Sequence, residues 1–418
     1  MSGITLLTTL INHLACDADT NSFMYRNVFM ASRGTPLIYT EKDNKMRNLG
    51  VGCTLEKIYA LNMKSHVQSH AASAFALLQL CMRRGGVEGA IHLHRARLDI
   101  DKASNATEDW DTVYVSLDQK QAFDRVSRTL ILAQVKKHIP DLLHYVTRMF
   151  AHDTYIITQG LEFAQKTGVV QGAILSPILF CLAFMVVLEA GDTAMKAAHD
   201  KVPAYAHKHD PIITGYMDDL TIAAPFEQAL IGARACDAAA EKYGFTPATG
   251  AHKNHLWAPH PAVRAQLDDT YTLNNRVTIH TSRDAGTAVL GAPMGDDTWV
   301  QSFMSKKVSL WNERLSQLRL LSHTQVNVLL TRMCEVSRIV FYLRTVPSSQ
   351  WHDSISKARD NMYTHLLHTC KSDQLELSLY GKTMAHLPLR YGGAGITDPV
   401  AIADISYKLY FFYYWCVG

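Results

Sequence analysis

Residues 215–224 read GYMDDLTIAA: two adjacent acids, Asp218 and Asp219, with apolar residues on either side. Apolar flanks around a short polar centre predict a β-hairpin with the acids at its turn. Two carboxylates held side by side are costly unless they face solvent or a cation, because each raises the pKa of the other. From this stretch alone two readings stay open, an ordinary surface turn and one half of a metal site.

A third acid lies upstream. In DTVYVSLDQKQAFDRV (111–126) the alternation of Val113, Val115 and Leu117 predicts a strand that Asp118 ends and a helix that follows. Phosphoryl transfer from a nucleoside triphosphate uses magnesium, which takes hard oxygen ligands, and two ions about 3.5–4 Å apart serve the attacking and leaving oxygens together. Carboxylates on rigid neighbouring strands supply such ligands, and Asp118, Asp218 and Asp219 are the candidates. Other residues could complete the site. Phe123, five residues after Asp118, is either a core ring or a surface for a sugar. Gly168 and Gly172 flank Gln171 and give backbone freedom where a nucleotide or template could approach closely. Lys42 and Arg47 straddle the polar turn of PLIYTEKDNKMRNLGVG (36–52), from which cations can reach phosphates.

The order of these pieces is SLDQKQAFD (116–124), GVVQGAILSPILF (168–180), YMDD (216–219), GFTPATGAHKN (244–254) and VLG (289–291). It resembles the palm motifs of reverse transcriptases, closest to the non-LTR retrotransposon and group II intron types, over about residues 30–400. Two flanking segments fit the same resemblance: RRGGVEGAIHLHR (83–95), with Glu88 and Arg95, and LPLRYGGAGI (387–396).

The resemblance implies an α+β right-hand polymerase fold of fingers, palm and thumb, with an antiparallel palm sheet and a helical thumb. It implies an RNA-directed DNA polymerase that extends a primer with dNTPs. The template would be RNA, the primer DNA or RNA, and the cofactor two Mg2+ ions, with Mn2+ as a substitute. Asp118, Asp218 and Asp219 would be the catalytic metal ligands. Phe123 would be the sugar gate favouring deoxynucleotides. Gln171 would line the nucleotide pocket, Lys253 would lie near the triphosphate, Lys42 and Arg47 would contact phosphates, and the VLG strand would be the primer grip. The chain departs from the pattern at Asn48 and Val170, where proline is usual, and at Pro247 and Gly250 before Lys253. None of these removes a metal ligand. Two related readings are an RNA-dependent RNA polymerase and a catalytically silent nucleic-acid-binding protein of the same fold.

Composition sets the frame. The chain has 418 residues, 48% apolar and 19% charged, which excludes a disordered protein. A net charge of +3 does not announce a nucleic-acid binder, so any footprint is local. One such patch lies between residues 301 and 345, where Lys306, Lys307, Arg314, Arg319, Arg332, Arg338 and Arg344 face only Glu313 and Glu335. The eight Cys show no CxxC pair or finger spacing and read as mostly buried small residues or free thiols in a reducing compartment, not as a disulfide framework or a zinc site.

The first residues predict an amphipathic helix with Ile4, Leu7, Leu10, Ile11 and Leu14 on one face. No targeting peptide is visible, which leaves nucleus, cytoplasm or an organelle such as the mitochondrion open. The apolar run 174–190 is expected as a buried helix and not a membrane span. No endonuclease, zinc finger or ribonuclease H acid set is evident. The expected divisions are 1–110 for an N-terminal extension and fingers, 111–298 for a palm with inserted fingers helices, and 299–418 for a helical thumb and C-terminal segment.

Overall fold

The computed structural model describes residues 3–22, 24–39, 45–75, 78–103, 112–158, 161–201, 210–250, 253–371, 374 and 376–417. The described strands are β1 (Ser32–Tyr39), β2 (Lys45–Gly52), β3 (Thr112–Leu117), β4 (Thr154–Thr158), β5 (Leu161–Gln165), β6 (Ile212–Tyr216), β7 (Asp219–Pro225), β8 (His255–Trp257), β9 (Thr270–Leu273), β10 (Val277–Ser282), β11 (Gly286–Val289) and β12 (Ala292–Gly295). The helices of the first half are α1 (Gly3–Asn12), α2 (Thr54–Phe75), α3 (Gly86–Ala103), α4 (Ala122–Arg125), α5 (Arg128–His138), α6 (Leu143–Met149) and α7 (Ser176–Lys201). Those of the second half are α8 (Phe226–Lys242), α9 (Pro261–Gln266), α10 (Asp297–Leu318), α11 (Thr324–Leu330), α12 (Val336–Thr345), α13 (His352–Thr369), α14 (Leu379–His386) and α15 (Pro399–Val417). This is the α+β class that was expected.

Two compact units divide the chain. The first holds residues 1–86, 106–258 and 266–282, and the second holds 87–105, 259–265 and 283–418. Helix α3 packs with residues of the second unit: Arg95 donates to the Pro293 carbonyl at 2.7 Å, and His92 meets the Arg344 carbonyl at 2.8 Å.

The first unit is organised by a six-stranded sheet in the order β6-β7-β3-β8-β10-β9. Its four-stranded part, β6-β7-β3-β8, is antiparallel as expected of a palm. The β8–β10 pair is parallel, an addition to that pattern. Alternation along the strands splits their residues between two faces. Val115, Leu117, Ile213, Leu220 and Ile222 share one face and are buried. Helices α7 and α8 cover it. A Cβ on Gly215 would meet Leu188 of α7 at 2.6 Å, and a Cβ on Gly232 of α8 would meet Ile222 at 3.5 Å. Helix α7 is long and apolar enough to cross a bilayer, but 67% of its apolar window is buried in the protein, so it serves as the central core helix.

Beside this sheet lies a second one in the order β2-β1-β4-β5. β1 and β2 form the expected first hairpin, with Leu37 opposite Arg47 and Pro36 opposite Asn48. The turn that carries Lys42 lies outside the described residues.

Three local expectations differ from the structure. The spacing of residues 57–84 predicts a helix that continues to Arg84. Helix α2 instead ends at Phe75, and residues 78–80 run beside β6, where pairing with Gly215 satisfies the backbone. On α1 only the last part of the apolar face is used. Ile11 and Leu14 are buried, whereas Ile4 is 79% exposed and Leu7 and Leu10 are also exposed. A π-helical segment, His13–Asp17, continues α1 directly, and Arg148 holds it by donating to the Ala15 carbonyl at 2.9 Å. VLGAPMG (289–295) is not a single strand: it holds the end of β11, the turn and all of β12. Leu290 and Gly291 form its two-residue turn, both with positive φ, as the twist of a tight hairpin requires.

The second unit is helical apart from that hairpin. Val300, Met304, Val308, Trp311 and Leu315 recur every three or four residues along α10 and pack with Ile339, Leu343, Ile355 and Met362. Two cations of the basic patch are already engaged within the unit: Arg344 pairs with Glu88 at 3.4 Å, and Arg338 with Glu335 at 3.6 Å. His92 and His94 on α3 are buried, and burial holds both imidazoles down at about 4.

The tightest crossing under the sheet is between α7 and α8 at Gly191. A Cβ there would lie 2.4 Å from Cys236 Sγ and 2.9 Å from Ile213 Cδ1. Alanine is favoured over glycine in a helix by about 1 kcal/mol, but overpacking a close contact costs about 1–3 kcal/mol. Gly191→Ala is therefore expected to lower the urea midpoint of unfolding. A midpoint equal to or above that of the parent protein would show that this crossing has room to spare.

Candidate active site

Asp118 directly follows the last residue of β3. The β3–β7 register pairs Ser116 with Thr221 and Leu117 with Leu220, so the next pair along it is Asp118 with Asp219. Residues opposite each other on antiparallel strands point to the same side, with Cβ atoms about 4.5–5.5 Å apart. Because Leu117 and Leu220 face the helices, alternation sends Asp118 and Asp219 to the other face of the sheet. Asp218 sits in the β6–β7 turn, which closes with Tyr216 opposite Asp219. The expected hairpin is thus present, and its register brings the acids of two separate motifs to one end of the sheet.

Backbone bonds fix the exit from β3. The Asp118 amide donates to Asn254 Oδ1 at 3.0 Å, and Asn254 Nδ2 donates to the Ala248 carbonyl at 2.7 Å. The Ala248 amide donates to the Asp118 carbonyl at 2.9 Å, and the Lys120 amide to the Thr246 carbonyl at 2.7 Å. The departure at Pro247 falls within this contact, opposite Gln119, where the chain runs as an extended edge. Asn254 is buried, and nothing in its local sequence pattern marks it out. Its neighbour Lys253 places its Nζ on Asp118 Oδ2. An ammonium on a half-buried carboxylate offsets charge that would otherwise repel the facing acid.

At the turn, Met217 has φ +55°. A residue with a side chain beyond Cβ in that region carries about 1 kcal/mol or more of strain. Both of its backbone polar groups are held by Gln79: the Met217 amide donates to Oε1 at 2.9 Å, and Nε2 donates to the Met217 carbonyl at 3.0 Å. Gln79 is fully buried. It falls within the predicted helix of residues 57–84, and no motif marks it. Below the turn, Cys81 Sγ lies 2.9 Å from Cys181 Sγ on α7. Burial above all, then the Cys81 contact and the nearby charge of Asp218, push the Cys181 thiol well above its usual range.

The Gln171 segment is threaded between α4 and β2. A Cβ on Gly168, at φ +70°, would lie 2.3 Å from the Phe123 carbonyl, and one on Gly172, at φ +102°, would lie 2.9 Å from the Gly50 carbonyl. Only glycine fits such approaches in that conformation. The Gly50 amide donates to the Gln171 carbonyl at 2.7 Å, and Gln171 Nε2 donates to Asp124 Oδ2 at 3.2 Å. Arg128 ties the same segment down through the Gly168 carbonyl at 3.1 Å and the Gln165 carbonyl at 2.9 Å. Val170, where proline is usual, is buried against this strand end: a Cβ on Gly50 would meet its Cγ1 at 2.1 Å. Phe123 is half-buried and stacks on Phe180 of α7 at 4.3 Å between ring centroids.

The structure therefore brings Asp118, Asp219, Asp218 and Lys253 to one sheet end and joins Gln171 to the segment that carries Phe123. Arg47 lies on β2, and Lys42 lies outside the described residues. Three carboxylates are a donor set that suits a hard divalent cation. Among the described residues no three His, Cys, Asp or Glu side chains converge on one point as they stand. The Lys253 ammonium on Asp118 supplies positive charge beside these acids.

Comparison with known proteins bears on this arrangement. A search of curated proteins by sequence finds no match. Among solved structures, the chain is similar to apo telomerase from Candida tropicalis truncated from its C-terminal domain, at 12% identity, covering 64% of this chain and 55% of that one with a TM-score of 0.39. It is similar to telomerase from Candida albicans in complex with a TWJ fragment of telomeric RNA, at 11% identity, covering 82% and 61% with a TM-score of 0.39. The chain thus spans between half and two thirds of the length of these structures. The family model for "Reverse transcriptase (RNA-dependent DNA polymerase)" matches residues 40–248, half of the chain and the whole interval from the first hairpin to the segment that anchors Asp118. With that match and this sheet, the chain belongs to the reverse transcriptase family.

Proposed function

We propose that the protein is an RNA-directed DNA polymerase that extends a DNA or RNA primer with dNTPs on an RNA template. The observation that supports this best is the β3–β7 register, which sets Asp118 across from Asp219 beside the Asp218 turn. In this reading Asp118, Asp218 and Asp219 hold two magnesium ions, or manganese in their place. Bound there, the ions supply Lewis-acid activation of the primer 3'-hydroxyl and charge stabilisation of the leaving pyrophosphate.

The protein's own residues position the reactants. Lys253 leaves Asp118 as the ions and nucleotide arrive and turns toward the triphosphate, so one ammonium serves the resting and the loaded site in turn. Gln171, steadied by Asp124, lines the nucleotide pocket. Phe123, braced by its stack on Phe180, stands where a ribose 2'-hydroxyl would clash. Lys42 and Arg47 reach the phosphates from the first hairpin. Positioning and charge neutralisation carry most of such a reaction.

In primer extension on an RNA template with magnesium, Asp218→Asn is expected to lower dNTP incorporation by at least about a hundredfold. Wild-type activity in that variant would remove the carboxylate from the mechanism. Wild-type binding of primer–template without extension in either metal would instead favour a silent binding protein.

Phe123→Val keeps a β-branched apolar residue in place of the ring and opens the sugar side. Ribonucleotide use relative to deoxynucleotide use is expected to rise about tenfold or more. An unchanged ratio would reject the gate, and preference for ribonucleotides in the parent protein would favour an RNA polymerase.

A further inference from the structure

The catalytic turn is held from outside the motifs that carry the acids. After α2 ends, residues 78–80 lie along β6 as a short parallel edge: the Gly215 amide donates to the Leu78 carbonyl at 2.6 Å, and the Leu80 amide donates to the Gly215 carbonyl at 3.0 Å. This brings Gln79 under the hairpin tip. A Cβ on Gly215 would lie 3.2 Å from Gln79 Nε2, so glycine at 215 allows the side chain to pass. The Gln79 amide then closes on both backbone groups of Met217, at 2.9 and 3.0 Å. Gln and Asn alone among side chains offer a donor and an acceptor side by side, and Gln79 uses them on one residue. That residue has a positive φ and immediately precedes Asp218.

We propose that Gln79 is a positioning residue for the acidic turn: it locks Met217 in its strained conformation and so fixes the direction in which Asp218 and Asp219 present their carboxylates. The proposal rests on the reading of those two acids as metal ligands. Its physical core is that a turn with positive φ at Met217 has lower-strain alternatives, and each of them would swing Asp218. Two hydrogen bonds to a fully buried amide remove those alternatives. Groups that orient metal ligands in this way alter metal affinity or activity about 10–100-fold when lost. Misplacing a reacting group by about 1 Å costs on the order of a hundredfold in rate.

Gln79→Met keeps the length and apolar volume of the side chain and removes both hydrogen bonds. Three measurements on the full chain test the role. Amide hydrogen exchange over residues 216–220 is expected to speed up at least tenfold. Manganese affinity, read by electron paramagnetic resonance with a dideoxy-terminated primer–template and dNTP bound, is expected to fall about tenfold or more. Adding Met217→Gly to Gln79→Met is expected to recover several-fold of that affinity, because glycine takes a positive φ without strain. A purely structural role would lower the thermal midpoint and leave manganese affinity unchanged. That result, unchanged exchange over 216–220, or no recovery with Met217→Gly would overturn the proposal. If Gln79→Met does not fold, Gln79→Glu preserves the shape and the acceptor and is expected to show the same loss of affinity. Exchange is read without nucleic acid, so it decides on Gln79 even if the parent protein extends no primer, an outcome that would count against the polymerase reading alone.

Discussion

Like charges facing one another across adjacent strands are the constraint on which the rest of this protein turns. The β3–β7 register ends at Leu117 opposite Leu220, and Asp118 and Asp219 follow directly on that pair, with Asp218 in the adjoining turn. Without a cation such an arrangement is repulsive, and no purely structural need calls for it. The protein answers with the Lys253 ammonium on Asp118.

Holding three acids in register demands a rigid base, and the first unit supplies one. The opposite face of the sheet is buried under α7 and α8, which approach closely at Gly191 and Gly232. A slip of one residue between β3 and β7 would turn Leu117 outward and Asp118 into that core, so burial on one face enforces the placement of charge on the other. Three further clamps act on the ends that the ladder leaves loose. Asn254 holds the exit of β3, Gln79 holds the β6–β7 turn, and Arg128 with two glycines holds the Gln171 segment. Each is a polar side chain bonded to backbone, which fixes a conformation without filling the open face.

How much of this is legible in the sequence follows from the range of each interaction. The GYMDDLTIAA hairpin and the VYVSL strand carry local alternation, and the two glycines around Gln171 mark close backbone approaches that the structure contains. The motif order gives the family. What the sequence does not display is pairing between distant segments. Nothing near Gln79 indicates that its chain leaves the helix at Phe75, because the partner that draws it into an extended edge is Gly215. Asn254 is equally silent, since its partners are Asp118 and Ala248. The apolar face of α1 misleads in the opposite direction, for periodicity reports which residues could be buried and not how far the neighbouring chain extends to cover them. The basic stretch after residue 300 also reads more strongly as a sequence than as a surface, because Arg338 and Arg344 pair within their own unit.

The central claim is that this sheet end is a two-ion site from which Lys253 withdraws. Anomalous diffraction from crystals of the protein with primer–template, dNTP and manganese tests it most directly. Two manganese peaks about 3.5–4 Å apart among Asp118, Asp218 and Asp219, with Lys253 moved off Asp118, are the expected result. A bound nucleotide with no manganese at these carboxylates, or with Lys253 still on Asp118, would contradict the account.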